Sequence, residues 1–247
     1  MTRNVVLAGY DGTSRVPGTS LGAAAMWAAL TARRHAPDWH MRSVREQTKS
    51  SALWCRKLRS LAEASPVDLA LGGEHLISFP LIEVLAARHP GLRVVVLDAH
   101  HDAYDYPLLT HYSLFHYTQT ELTVPTMMLG VRHEIEQATP GLHIVSADAL
   151  RSTGVQHACR AICDFVAGGP FYFSIDLDVV DPGELAAVSD PVPGGIAISE
   201  LVEIARGALA CAPIAVDLVE YNPLRDPMGE WLDRLTPVFE ELACWLG

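Results

Sequence analysis

The run Val94-Val-Val-Leu-Asp-Ala-His-His-Asp102 ends an apolar stretch with Asp98, His100 and Asp102 at alternate positions. Alternate residues of a strand share a face, so three potential metal ligands point into one space at a strand's C-terminal end, where open α/β sheets place their sites. A second run, Phe171-Tyr-Phe-Ser-Ile-Asp176-Leu-Asp178 followed by Asp181-Pro182, repeats the device. Carboxylates gathered this closely raise one another's pKa and repel, a penalty that bound cations remove. The oxygen-rich set, supplemented by imidazole and free of thiolate, favours Mn²⁺ over a structural zinc site. Four carboxylates exceed the need of one catalytic ion. Shared oxygens bridging two ions about 3.5–4 Å apart account for the surplus, and such a pair can activate a hydroxide.

The elements that must position these groups follow from periodicity. Strands are expected at Val5–Ala8, Val67–Leu71 and near 93–98, 125–129, 142–145, 171–176 and 213–219, with helices at about 20–33, 52–64, 78–89, 155–167, 198–210 and 229–246. Residues 34–50 read as polar and irregular. Gly72-Gly73-Glu74-His75 forms a tight turn that sets His75 at another strand's C-terminal end. Strand alternating with helix predicts a three-layer α/β/α fold with a mainly parallel central sheet, in a single domain over residues 1–247.

A 247-residue chain with 49% hydrophobic content is ample for one large core. Its net charge of −11 argues against nucleic acid as partner and favours a cationic substrate. No apolar run approaches the ~18 residues of a membrane span, and Met1-Thr-Arg-Asn-Val lacks a signal peptide's hydrophobic region, so a soluble, cytoplasmic protein is expected. Five scattered cysteines without a CxxC pair read as reduced core thiols.

Four segments in order resemble the ureohydrolase family of arginases and agmatinases. Gly72-Gly-Glu-His75 is similar to the family's GGDH turn, Asp98-Ala-His-His-Asp102 to its DAHxD, Ser174-Ile-Asp-Leu-Asp-Val-Val-Asp-Pro182 to its SxDxDxxDP, and Val219-Glu-Tyr-Asn-Pro223 to its VExNP. The resemblance implies an arginase-like fold and two Mn²⁺ ions. One would be held by His75, Asp98, Asp102 and Asp176, the other by His100, Asp98, Asp176 and Asp178. A hydroxide between the ions, oriented by Asp102, would attack a guanidino carbon, and Glu220 would pair with the substrate guanidinium. His111 would pass the proton to the leaving amine, although His116 is an alternative for that position. Asp181-Pro182 is read as a turn, His101 as facing away from the ions, and the remaining histidines are assigned no role. The family also implies a trimer or hexamer.

The departures bear on substrate. Glu74 stands where the family has Asp, Leu76 where it has a small residue, and Tyr104 where arginases have the asparagine that helps hold free arginine's carboxylate. Little sequence separates Pro17-Gly18 from Gly72-Gly73, which implies either a widened mouth that fits a larger substrate or a region trimmed without effect on specificity. The favoured substrates are agmatine-like small molecules or peptidyl arginine, converted to ornithine. A formimidoylglutamase-type hydrolase is the nearest alternative, and a metal-binding, non-catalytic scaffold a remoter one.

Overall fold

A computed structural model describes residues 2–32, 39–44, 48–133 and 140–247. Eight strands, β1 (Arg3–Ala8), β2 (Trp39–Ser43), β3 (Leu69–Gly72), β4 (Arg93–Leu97), β5 (Thr126–Val131), β6 (Leu142–Ser146), β7 (Phe171–Asp176) and β8 (Ala215–Val219), form one parallel sheet in the order β2-β1-β3-β8-β7-β4-β5-β6. Within each strand, neighbouring apolar side chains go to opposite faces, as a pleat dictates. Val95 and Leu97 of β4 join one core cluster while Val94 and Val96 join the other.

The first cluster is covered by α1 (Gly22–Ala32), α5 (Ala147–Thr153), α6 (Val155–Val166), α7 (Ile198–Ala210), α8 (Glu230–Arg234) and α9 (Thr236–Leu246). The second is covered by α2 (Ser51–Ala64), α3 (Ser78–Arg88) and α4 (Leu114–Thr120). The expected three-layer α/β/α architecture is therefore what forms. β3, β8, β7 and β4 are adjacent at its centre and buried, save for Arg93 at the start of β4, because both faces are covered.

Several expectations are corrected. Residues 39–43 are a strand, β2, paired with β1 in register Arg3 to Trp39; at the sheet's edge it needs little apolar character, which hides it from a hydrophobicity reading. Residues 33–38 and 45–47, the end of the expected first helix and parts of the expected irregular stretch, lie outside the described residues. The single helix expected at 229–246 is two, because Pro237, without an N–H, opens the first turn of α9. Cys163 and Cys211 form a disulfide, with Cα atoms 6.2 Å apart, correcting the reading of five reduced thiols. Packing of α6 on α7 brings them together, which their separation of 48 residues does not reveal. Of the free cysteines Cys55 is buried, and burial pushes its thiol up to about 12, whereas Cys244 is exposed.

Candidate metal centre

The C-terminal ends of the four central strands converge on one cluster. His75 follows β3 in a short helical turn. The Gly72-Gly73 pair permits this entry: a Cβ on Gly73 would collide with the Tyr10 carbonyl, so the turn and the loop after β1 pass at backbone contact. Asp98 follows β4, Asp176 ends β7 and Asp178 lies in the turn beyond it. His75 Nδ1 stands 3.0 Å from Asp98 Oδ2, 3.2 Å from Asp176 Oδ2 and 3.4 Å from Asp102 Oδ2. His100 Nδ1 stands 2.8 Å from Asp178 Oδ2 and 3.6 Å from Asp98 Oδ1. Two groups able to hold a cation result, His75/Asp98/Asp176 and His100/Asp98/Asp178, sharing Asp98.

Backbone amides aim the carboxylates. Asp98 Oδ1 accepts from His100 N (2.6 Å), Asp176 Oδ1 from Asp178 N (2.9 Å) and Asp178 Oδ1 from Ala99 N (3.0 Å), which turns each Oδ2 inward. Asp102 and Glu220 hold positive backbone φ, 42° and 68°, a conformation costly for residues with a Cβ and concentrated at functional positions.

The donor set fits cations. Asp217 of β8 accepts from Ser174 Oγ (2.6 Å) and from the hydroxyls of Ser78 and Tyr172. Ser174 thus spends its proton on Asp217 and accepts from His75 Nε2 at 2.9 Å, so the lone pair of the neutral ring lies on Nδ1. That nitrogen and Asp98 Oδ2 are both buried without a hydrogen-bond partner among the described residues, facing each other at 3.0 Å. Opposed lone pairs in a closed site call for a positive charge between them. The electrostatics agree. Burial opposes charge on both histidines, yet the surrounding carboxylates raise His75 and His100 well above the ordinary imidazole range. Burial and then Asp98 push the Asp102 carboxyl up to about 6, and burial with Asp178 and Asp98 raises Asp176. Burial also raises Asp98, but the two imidazoles overcome it and hold it below the usual carboxylate range.

Beside the cluster lies a cleft of about 240 Å³, lined by Ser14, Arg15, Val16, His100, Asp102, His111, Tyr112, Asp176, Asp178, Ser189, Asp190 and Glu220. Glu220 Oε1 accepts from His75 N at 2.9 Å, and its second oxygen takes no donor among the described residues. Burial, Asp178 and Glu74 raise its carboxyl well above the usual range. His111 reaches the cleft because its loop folds back: Tyr104 N donates to Tyr112 O at 3.0 Å and Phe115 N to Asp102 O at 2.9 Å. Burial, with His75 and His100 adding to it, lowers its imidazole to about 4. His116 sits on α4, 3.6 Å from Asp105 and away from the cleft lining. His101 belongs to neither cation-binding group; its Nδ1 accepts from Ala103 N at 3.1 Å. Asp181 makes a turn, its carboxylate accepting from Gly183 N (2.9 Å), Gly194 N (2.8 Å) and Gly195 N (3.2 Å), which lowers its pKa.

Sequence reasoning missed the supporting groups. Asp217, an acid within the apolar run Ala215–Val219, was a visible signal. Thr13, Arg15, Ser189 and Asp190 lie in loops without one, and His133, assigned no role, stacks on His100 with ring centroids 5.1 Å apart.

A parallel α/β sheet whose central strand ends carry a paired His/Asp cluster defines the class. A family profile described as the arginase family matches residues 3–236, and the chain belongs to that family. Proclavaminate amidinohydrolase of Streptomyces clavuligerus is 30% identical over 185 residues, 70% of this chain and 59% of that protein. An agmatinase of Neisseria gonorrhoeae (strain NCCP11945) is 30% identical over 162 residues, 64% of this chain and 52% of that protein. The chain thus spans between half and three fifths of the length of these curated relatives. Among solved structures, a hypothetical agmatinase from Burkholderia thailandensis matches with a TM-score of 0.88 at 23% identity, covering 99% of this chain and 85% of that one, a likeness of fold.

Proposed function

We propose that this chain, as a single domain over residues 1–247, hydrolyses a guanidino group to urea and a primary amine: R–NH–C(NH₂)₂⁺ + H₂O → R–NH₃⁺ + CO(NH₂)₂. The observation that carries the reading is the pair of cation-binding groups sharing Asp98 at the floor of a cleft that also holds Glu220 and His111. His75, Asp98, Asp102 and Asp176 would hold one Mn²⁺ and His100, Asp98, Asp176 and Asp178 a second. When bound, the ions supply a hydrolytic nucleophile at neutral pH and neutralise the acid cluster. Glu220 receives the planar guanidinium, and the cation in turn favours ionisation of its buried carboxyl. Asp102 orients the nucleophile by accepting a hydrogen bond. His111, held neutral by burial, takes up a proton at its ring nitrogen and returns it to the leaving amine.

The substrate we favour is an arginine derivative not gripped through a free α-carboxylate, first an agmatine-like small molecule. Peptidyl arginine is a second reading, favoured by Tyr104, Tyr106 and Leu108, which stand 51%, 47% and 62% exposed on the loop that carries His111. A formimino substrate releasing formamide remains the alternative reaction of the same cluster. No helix among the described residues is long and apolar enough to cross a membrane; a cytoplasmic location and a trimer or hexamer belong to the proposal. The test is urea release by Mn²⁺-loaded protein from agmatine, free L-arginine, 4-guanidinobutyrate and an arginine-containing peptide, with Asp176→Asn as control. Turnover of at least one that vanishes in the control is expected; silence on all four with metal bound would defeat the reading.

A further inference from the structure

Glu74 is fully buried beside the cluster and belongs to neither cation-binding group; its carboxylate turns to the loop after β1. Oε2 accepts from Thr13 N at 3.0 Å and Ser14 N at 2.8 Å, and Oε1 accepts from Thr13 Oγ1 at 2.5 Å. The same hydroxyl lies 2.7 Å from His111 Nδ1 and 3.4 Å from the His111 backbone N–H, which donates to it. A threonine hydroxyl has one proton. Burial raises the Glu74 carboxyl to about 7, but the backbone N–H groups of Thr13 and Ser14 on Oε2 favour its ionised form. With Glu74 ionised, the Thr13 proton goes to Oε1 and Thr13 Oγ1 can only accept from the ring. The ring therefore carries its hydrogen on Nδ1, and Nε2 is left bare for the cleft.

We propose that Thr13, anchored by Glu74, is a positioning residue that fixes the orientation and tautomer of His111. The proposal rests on the proton-transfer role given to His111 above. Residues 98 positions apart in the chain are thereby locked around one hydroxyl.

The test reads structure and rate separately, on protein loaded with diamagnetic Zn²⁺ for spectroscopy and with Mn²⁺ for turnover. Nitrogen-15 NMR, with His111→Ala identifying the signal, is expected to show His111 as the Nδ1–H tautomer in the wild type and in Thr13→Ser, and a mixture in Thr13→Val. Thr13→Ala gives a second hydroxyl-free variant should valine disturb folding. Removing the hydroxyl is expected to lower kcat ~10- to 100-fold with KM little changed, serine restoring it, and to add nothing in a His111→Ala background. An unchanged tautomer in the hydroxyl-free variants, or losses that multiply with His111→Ala, would overturn the proposal. If no guanidino compound is turned over at all, the proton-transfer reading fails, while the tautomer measurement still decides whether Thr13 fixes the ring.

Discussion

The floor and the walls of the cleft are built by different rules. On the floor, Asp98, Asp176 and Asp178 leave buried parallel strands, and a backbone amide holds one oxygen of each, so the other is aimed before any ligand arrives. The walls come from the loops after β1 and β4 and from the stretch near 189, and they carry exposed groups such as Arg15 and Asp190. A site made this way separates reaction from recognition: strand ends fix the chemistry rigidly, while loops are free to change what is admitted. Thr13, in the loop after β1, is where the two would meet under the proposal above, its hydroxyl 2.7 Å from His111 Nδ1.

Substitutions should break the floor far more severely than the walls. The largest effect is expected from Asp98→Asn, because the shared carboxylate serves both cation groups; metal content by elemental analysis should collapse and urea release fall by at least ~10³-fold. Glu220→Gln should keep metal content but lower kcat/KM ~10²-fold or more, since a neutral amide cannot answer the guanidinium charge; steady-state kinetics on the preferred substrate would show it. Ser174→Ala should weaken metal affinity ~10- to 100-fold, by freeing the ring whose Nε2 it accepts. The smallest effect should come from the wall: Arg15→Gln should leave metal content intact and alter only the ratio of agmatine to 4-guanidinobutyrate turnover, by a few-fold. If the wall variant removes metal, or Asp98→Asn spares it, the division of labour is wrong.

The same contrast has a pH signature. The surrounding carboxylates raise His75 and His100 against the burial that opposes their charge, so protons compete with a metal for both rings. A metal needs them neutral, so loading should release protons into weakly buffered solution, and affinity should fall as pH drops. A pH-stat titration that finds no proton release on loading would contradict the assigned ligands.

What could be read from the sequence divides along the same line. The side chains of the floor were legible because a strand's period of two and its abrupt change from valine and leucine to aspartate are local signals. β2 was not legible, since an edge strand such as Trp39-His-Met-Arg-Ser43 needs little hydrophobicity. The short helices α4 and α5, of seven residues each, were too brief to establish a period. Thr13 was out of reach for another reason: its neighbours Glu74 and His111 are 61 and 98 positions away, and no local pattern encodes a contact made by loops. Asp217 lies between. An acid inside an apolar strand announces a buried partner, but only the fold shows that the partners are Ser78, Tyr172 and Ser174.

The most direct test of the central claim is anomalous diffraction at the manganese edge from crystals of Mn²⁺-loaded protein. Two peaks are expected on either side of Asp98, one beside His75 Nδ1 and one beside His100 Nδ1, with Asp98 between them. A single peak, or none within reach of both histidines at full metal loading, would contradict a shared two-ion centre.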